Sequence, residues 1–468
     1  MRRMGIQLAI GVALVCSSGV TYGAPETDEV SPAALPSLSA TAFQQPDFTP
    51  PPPPSPPGSA PAGAATGAQG TAPAEAAQPA AEAPAEPKPP EPWTIPQPSF
   101  LQHLGIKTGG WVEQGITGNA WNPTDRFNGP IFTNDRSGEY QMNQAWLYFV
   151  RPTKTDGCGF DIGGRLDVVY GEDWRFGQCA GLETKIDDPN NFYGLILPQF
   201  YGEVAYNDLT VKMGHFATLT SLEVVPAPLN FFYSHTYLMG GYFDPLLVTG
   251  MQAEYKLNDN WTAVGGFNEG WQIFDDMANT LNFLGGVKWA STDKKSTLSA
   301  MVTTGPTQTF TGYHDVDELI MVYTHQFTER FWWGTQVDVG REQHGAFNNP
   351  TRDDQWYGFE QLFTYKLNQK WSAGLRYEWV QDNQGSRIAG IGDVLGTDRG
   401  FVVAPGFKGP FSDLSLGLNY RPHPNFVLRP EVRWDWYGGG PNLAGQLPFG
   451  NLDQTSQFTY AMDMIFTF

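Results

Sequence analysis

Beyond about residue 100, apolar and polar residues alternate along most of the chain. The final segment, Gln457 to Phe468, places Phe458, Tyr460, Met462, Met464, Phe466 and Phe468 at every second position, with Gln457, Thr459, Asp463 and Thr467 between them. Side chains on a strand point alternately to two faces, whereas a helix would scatter these sets around its axis. The same period marks Trp371 to Val380, where Trp371, Ala373, Leu375, Tyr377 and Trp379 oppose Ser372, Gly374, Arg376 and Glu378. Phe426 to Trp436 repeats it, with Leu428, Val432, Trp434 and Trp436 against Arg429, Glu431, Arg433 and Asp435. Further two-faced strands are expected over Phe160 to Tyr170, Leu247 to Leu257, Phe331 to Val339, Tyr357 to Leu367 and Leu414 to Tyr420. Pro430 removes a ladder donor inside a clear strand, which predicts a bulge there.

The connections between strands fall into two classes. Short turns are expected near 153–157, 207–208, 258–260, 291–295, 328–329, 368–369 and 422–424. Longer loops are expected over 119–139, 171–195, 217–244, 270–280, 305–315, 341–354, 383–410 and 438–454. Strict alternation of the two classes gives about sixteen strands with both ends on the short-turn side, the even count of a bacterial outer-membrane barrel. The fold expected is all-β: a transmembrane antiparallel β-barrel over residues 100–468. A terminal strand with an apolar face would then close against a first strand near Ile106 to Val112 and face lipid, with Phe466 and Phe468 as the closing residues.

Composition changes this picture little, because lipid-facing and inward-facing residues average out. Mean hydropathy is −0.33 and only 16% of residues are charged, while aromatics reach 14%, suited to the two water–lipid interfaces. The net charge of −20 disfavours nucleic acid as a partner. The first residues read as a secretory signal, 1–23: Arg2 and Arg3, an apolar run from Ile6 to Cys16, and small residues ending at Gly23. Residues 24–99 hold 21 of the 38 prolines, including Pro50 to Pro54, and cannot bury a core. They are expected to form a disordered Pro/Ala-rich periplasmic linker, serving as a spacer or a tether to the cell wall.

Several blocks resemble the beta-barrel porin-2 (OmpL-like) family. They are GLILPQFYGEVAYNDLTVKMGHF at Gly194 to Phe216, NFFYSH at Asn230 to His235, EYKLNDNWTAVGGFNEGW at Glu254 to Trp271 and YKLNQKWSAGLRYEW at Tyr365 to Trp379. The residues Arg387 to Gly390 and LRPEVRWDW at Leu428 to Trp436 continue the likeness, which runs from about Phe100 to Phe468. The resemblance implies a porin in the cell outer membrane, and its terminal aromatic is similar to the signal read by the barrel-assembly machinery. The expected activity is passive diffusion of small hydrophilic solutes or ions through a water-filled channel. The alternative is a structural or adhesive barrel held to the cell wall by its linker.

Inward charges would line such a pore: Arg165 and Asp167, Glu254 and Lys256, Arg376 and Glu378, and Arg429, Glu431, Arg433 and Asp435. Mixed signs on neighbouring strands can equally pair and stabilise the wall. The third long loop, 217–244, is rich in bulky apolar residues, among them Leu222, Phe231, Phe232 and Tyr233. It either folds into the lumen, placing Glu223 and His235 near the constriction, or packs at the surface or a subunit contact. A homotrimer is open by analogy with other wide barrels.

Enzymatic readings find little support. The seven histidines show no triad spacing, and there is no CxxC, HExxH or phosphate-binding glycine loop. No metal or other cofactor is implied. Asp315, Asp317 and Glu318 could gather Ca²⁺ but read more simply as an acidic loop. Cys158 and Cys179 are expected to stay unpaired, because the intervening strand holds them far beyond disulfide reach.

Overall fold

The computed structural model describes residues 90–468 except 189–190, 219, 241–242, 276–280, 310–311, 347–348, 350 and 389–405. The expected signal segment and most of the linker, with Ala389 and Gly390, lie outside the described residues.

Sixteen strands form one closed antiparallel barrel in which every strand pairs with its sequence neighbours and the last pairs with the first. They are β1 (Lys107–Asn119), β2 (Tyr140–Arg151), β3 (Phe160–Gly171), β4 (Gly194–Tyr206), β5 (Leu209–Ala217), β6 (Leu247–Lys256), β7 (Trp261–Trp271) and β8 (Asn282–Ala290). The second half comprises β9 (Ser296–Thr309), β10 (Gly312–Gln326), β11 (Phe331–Glu342), β12 (Asp354–Lys366), β13 (Trp371–Asp382), β14 (Gly409–His423), β15 (Phe426–Tyr437) and β16 (Ser456–Thr467). Six of the seven short turns fall where turn residues marked them; the seventh, expected at 422–424, is confined to Pro424 and Asn425, because β14 runs on through Pro422 to His423. Closure places Trp111 opposite Thr467 and Val112 opposite Phe466, and the Gly110 and Phe468 backbones exchange hydrogen bonds of 3.0 and 2.9 Å. A sheet closed in this way has no unpaired edge to satisfy in lipid.

Alternation decides which residues face out. On β15, Val427, Arg429, Glu431, Arg433 and Asp435 are buried while Val432, Trp434 and Trp436 are exposed. Outward aromatics pair near the short turns: Trp371 stacks on Tyr420 at 4.5 Å between centroids, and Phe331 lies over Phe363 at 6.4 Å. This is the interfacial girdle expected of such barrels.

Two expectations fail locally. Residues 305–315 are not a long loop, because β9 runs to Thr309 and β10 begins at Gly312, with Gly305 opposite Val316 and Pro306 opposite Asp315. The alternation Tyr313, Asp315, Asp317 against His314, Val316, Glu318 is that of a strand rising beyond the others. It sends Glu318 inward and leaves Asp315 and Asp317 exposed, so the acidic cluster cannot converge on one ion. The pairing of β14 with β15 keeps its register across Pro430, with Gly417 opposite Glu431 and Tyr420 opposite Leu428. The shift comes later, between Tyr420 and His423, next to the turn where irregularity disturbs fewer ladder bonds.

Contacts with the barrel begin before residue 100. The Trp93 N–H donates to Asn425 Oδ1 at 2.6 Å, the Trp93 ring stacks on His423 at 4.2 Å, and Gln97 accepts from the Thr108 N–H at 2.9 Å. The segment around Trp93 and Gln97, expected to be disordered, is thus seated on the short-turn rim, beside Phe466, whose ring lies 5.7 Å from Trp93. Phe468 follows at 6.4 Å from Phe466.

Candidate functional site

The β5–β6 connection, residues 218–246, contributes to the apolar clusters inside the barrel together with residues of other long loops such as Phe132, Phe176, Phe407 and Phe449. Its Leu222, Phe231 and Phe232 are buried against Ile320 and Val322 of β10, Trp332 of β11 and Leu362 of β12, all inward positions. Burying side chains of this size contributes about 1.5–3 kcal/mol each. Inward glycines make room for the rings. A Cβ on Gly374 would sit 2.3 Å from the Phe231 ring, one on Gly417 2.8 Å from Phe232, and one on Gly115 2.8 Å from Tyr233. The loop therefore lies inside the barrel.

Polar wall residues fasten it. Arg376 Nη1 donates to Glu223 Oε1 at 2.7 Å and to the Ser234 carbonyl at 2.6 Å. The Glu378 carboxylate accepts the N–H groups of Tyr237 and Leu238 at 2.6 and 2.7 Å, and that of Glu431 accepts those of Tyr233 and Ser234 at 2.8 and 3.2 Å. Arg433 Nη1 donates to the His235 carbonyl, and Asp435 accepts from the Tyr237 hydroxyl at 2.7 Å. Arg429 donates to the Asn230 carbonyl at 2.9 Å while pairing with Asp463 at 2.6 Å and Glu113 at 2.7 Å. Six of the inward charges on β13 and β15 thus hold the loop.

Glu223 is the loop's ionic anchor. Burial alone would raise its carboxyl, but Arg376, the His235 ring and the Thr236 N–H outweigh burial and hold it at about 2. His235 Nδ1 lies 3.3 Å from Glu223 Oε2 and is buried with it. Asp244, at the far end of the loop, goes the other way. Burial pushes it up to about 6, only partly opposed by hydrogen bonds from Ser221 and Gln336.

The remaining expected positions separate. Arg165 and Asp167 pair with each other on β3 at 2.6 Å, and Trp146 Nε1 also donates to Asp167 at 2.9 Å. Glu254 on β6 pairs with Lys288 on β8 at 3.1 Å, and both keep partial exposure, 18% and 12% at the side chain. Beside them the Lys212 ammonium of β5 stands 4.1 Å from the Phe216 ring centroid. Lys256 belongs to neither group: it is the last residue of β6, exposed at the strand's end and paired with Asp259 at 2.9 Å. Lys212 and Lys288 were missed by the sequence reading, though both stand on the polar face of their strands. The inward glycines were missed too, and their signal was a glycine recurring on that face.

The cysteines remain unpaired, Cys158 exposed in a turn and Cys179 buried in the second long loop. Burial, with Glu183 nearby, pushes the Cys179 thiol well up, and its Sγ lies 3.7 Å from His215 Nε2. Among the described residues no group of three or more His, Cys, Asp and Glu is arranged to hold a metal ion.

A family described as "Putative beta-barrel porin-2, OmpL-like" matches residues 105–468. Among solved structures, the outer membrane channel DcaP of Acinetobacter baumannii aligns with TM-score 0.50 and 11% identity over 78% of this chain and 97% of that chain. The anion-selective porin from Comamonas acidovorans aligns with TM-score 0.50 and 10% identity over 78% of this chain and 99% of its own. These likenesses show the fold alone. No curated protein sequence matches. With the closed barrel of sixteen strands and a matching family model over residues 105–468, the chain belongs to the beta-barrel porin-2, OmpL-like family and is a porin of the outer membrane.

Proposed function

We propose that the channel passes small hydrophilic solutes by passive diffusion along a route bounded on one side by the third loop and on the other by the inner wall of β4 to β9. The observation that carries this is the inward loop fastened to β13 and β15, while Glu254 and Lys288 on the opposite wall keep partial exposure. A loop held by charge-assisted hydrogen bonds narrows the lumen without closing it, and a route of that kind sorts solutes by size and charge. Transport needs no bond-making side chain, and the proposal assigns the protein no catalytic role. Purified protein in liposomes should admit small sugars at rates that fall with solute mass. Liposomes that stay impermeable with folded barrel present would reject the reading.

The structural alternative is favoured by one observation, the seating of Trp93 and Gln97 on the short-turn rim, which would transmit load from a linker to the barrel. Deleting residues 24–89 and scoring envelope attachment tests it separately from permeability. A homotrimer is also proposed. Thr335 and Gln361 face outward from the middle of β11 and β12, and Gln361 Nε2 donates to Thr335 Oγ1 at 2.5 Å while its Oε1 accepts from Trp333 at 2.9 Å. Such a polar patch suits a neighbouring barrel better than lipid. Contacts with lipid, with the barrel-assembly machinery through Phe466 and Phe468, and with the cell wall through the linker complete the proposed partners.

A further inference from the structure

The turns that close the hairpins β10–β11, β12–β13 and β14–β15 carry bases with few answering acids. The Lys366 N–H donates to the Arg330 carbonyl at 2.8 Å and the Arg421 N–H to the Lys370 carbonyl at 2.7 Å, so the four residues follow one another along this stretch of the short-turn rim. Arg330 and Lys370 are exposed, Lys366 is half-buried, and these three make no ion pair among the described residues. The one acid in those turns, 327–330, 367–370 and 421–425, is Glu329. Elsewhere on the rim the bases are answered. Arg151 pairs with Asp161 at 2.9 Å, Lys154 with Asp156 at 3.6 Å and Lys256 with Asp259 at 2.9 Å, while Lys294 and Lys295 follow Asp293.

The chain itself leads towards these bases. Gln97 is clamped to β1, its Nε2 donating to the Thr108 carbonyl at 2.8 Å and its Oε1 accepting from the Thr108 N–H at 2.9 Å. Asn425, in the β14–β15 turn, holds Trp93 by the same two-point pairing, 2.6 Å from its N–H and 2.8 Å from its carbonyl. Followed from Gln97 back to Trp93, the segment therefore passes from β1 across the end of β16 to the β14–β15 turn. The same course continued reaches Arg421 and Lys370, then Lys366 and Arg330. The residues before Trp93 carry the opposite charge: Glu75, Glu82, Glu86 and Glu91 against Lys88. A proline-rich stretch advances about 3.1 Å per residue, so the ten residues from Glu82 to Glu91 can span about 30 Å. That exceeds the four strand spacings, of about 4.8 Å each, between the β14–β15 and β10–β11 turns.

We propose that residues 75–91 dock along the basic rim formed by Arg330, Lys366, Lys370 and Arg421, so that the acidic end of the linker is a bound segment of this chain. Each exposed ion pair is weak by itself, but the two-point hold on Trp93 makes every further contact intramolecular, at a raised effective concentration. Anionic lipid headgroups share the linker's charge and lack this tether. The docked course follows the side of the barrel filled by the third loop and leaves the mouth clear along β4 to β9. That consequence alone rests on the porin reading above.

The test is cleavage of the folded full chain by a glutamate-specific protease in non-ionic detergent, which reads the linker and needs no conduction. Cleavage after Glu82, which precedes alanine, is measured relative to cleavage after the distant Glu29 in the same chain. At low salt this relative rate should be about threefold or more higher in the triple variant Arg330→Gln, Lys366→Gln and Lys370→Gln than in the wild type. Glu86→Gln with Glu91→Gln should act in the same direction. At about 1 M salt, where the screening length falls to about 3 Å, the difference should vanish. Equal rates at low salt, or protection that survives high salt, would overturn the docking. Repeating the assay in vesicles separates the other source of negative charge. Protection kept in vesicles containing phosphatidylglycerol supports the linker; protection lost there but kept in phosphatidylcholine alone assigns the rim to lipid headgroups and overturns the proposal. Should Lys366→Gln disturb its half-buried site, Arg330→Gln with Lys370→Gln, both at exposed positions, decides.

Discussion

Two stretches of the inner wall meet the same loop and end in opposite states. On β13 and β15, Arg376, Arg429 and Arg433 alternate with Glu378, Glu431 and Asp435, and each finds a loop carbonyl, N–H, hydroxyl or carboxylate. On β10 to β12, Glu318, Asp338 and Glu360 come without basic neighbours on their strands and keep oxygens unmet. The first stretch is a fastening and the second is not. Inward charge alone does not tell the two apart; what decides is whether the opposing surface offers a partner.

The largest effect should come from breaking the fastening at its centre. Arg376→Met leaves Glu223 without its guanidinium and Asp413 with Arg433 alone at 3.5 Å, and should cost about 3–5 kcal/mol, as for other buried pairs cut on one side. Chemical denaturation of the refolded barrel measures it, and single-channel conductance should rise or become noisy as the loop loosens. The double variant with Glu223→Gln should recover part of the loss. Gly374→Ala comes next: its Cβ would meet the Phe231 ring at 2.3 Å, and an overpacked site of this kind costs about 1–3 kcal/mol. Adding Phe231→Ala should relieve the clash and restore uniform channel openings, while the same alanine at exposed Gly440 should do nothing.

Acid separates the two stretches more gently. Glu223 is held down at about 2, so its contribution is complete above the ordinary carboxyl range near 4 and is lost as pH falls from there towards 2. Asp244 is raised to about 6, so its charge costs stability above that pH, and protonation relieves the cost as pH falls through 6. Between about pH 6 and 4 the loop should stay docked while Asp244 loses its charge. Chemical denaturation recorded against pH should therefore show stability gained as pH falls through about 6 and lost only below about 4; a loss between the two would contradict the separation. The smallest effect should be at the rim. Trp93→Ala removes one stacked contact on His423, worth about 1 kcal/mol or less, and should be visible as faster proteolysis near residue 93 with unchanged conductance.

The barrel was legible because its rule is local. Alternation around Trp371–Val380 or Gln457–Phe468 follows from the two faces of a strand, and turn residues such as Asn207-Asp208 or Asn368-Gln369 punctuate it. Residues 305–318 misled for the same local reason: Gly305, Pro306 and a run of acids look like a loop, although their pairing across β9 and β10 makes them strand. The site was half legible. Arg376, Glu378, Arg429, Glu431, Arg433 and Asp435 were placed inward correctly, but their partners come from a loop about 140 to 200 residues away in the chain, and no period encodes that pairing. The docking glycines and the unmatched acids of β10 to β12 depend on the same distant loop, which is why neither stood out.

The central claim is that residues 218–246 fold into an open barrel and narrow it. Single-channel conductance of the full chain, compared with a variant whose loop is shortened by replacing residues 222–238 with a short glycine–serine bridge, tests it most directly. A stable wild-type conductance that rises several-fold in the shortened variant is the result expected from removing a constriction. An unchanged conductance in a correctly folded shortened barrel would contradict the account.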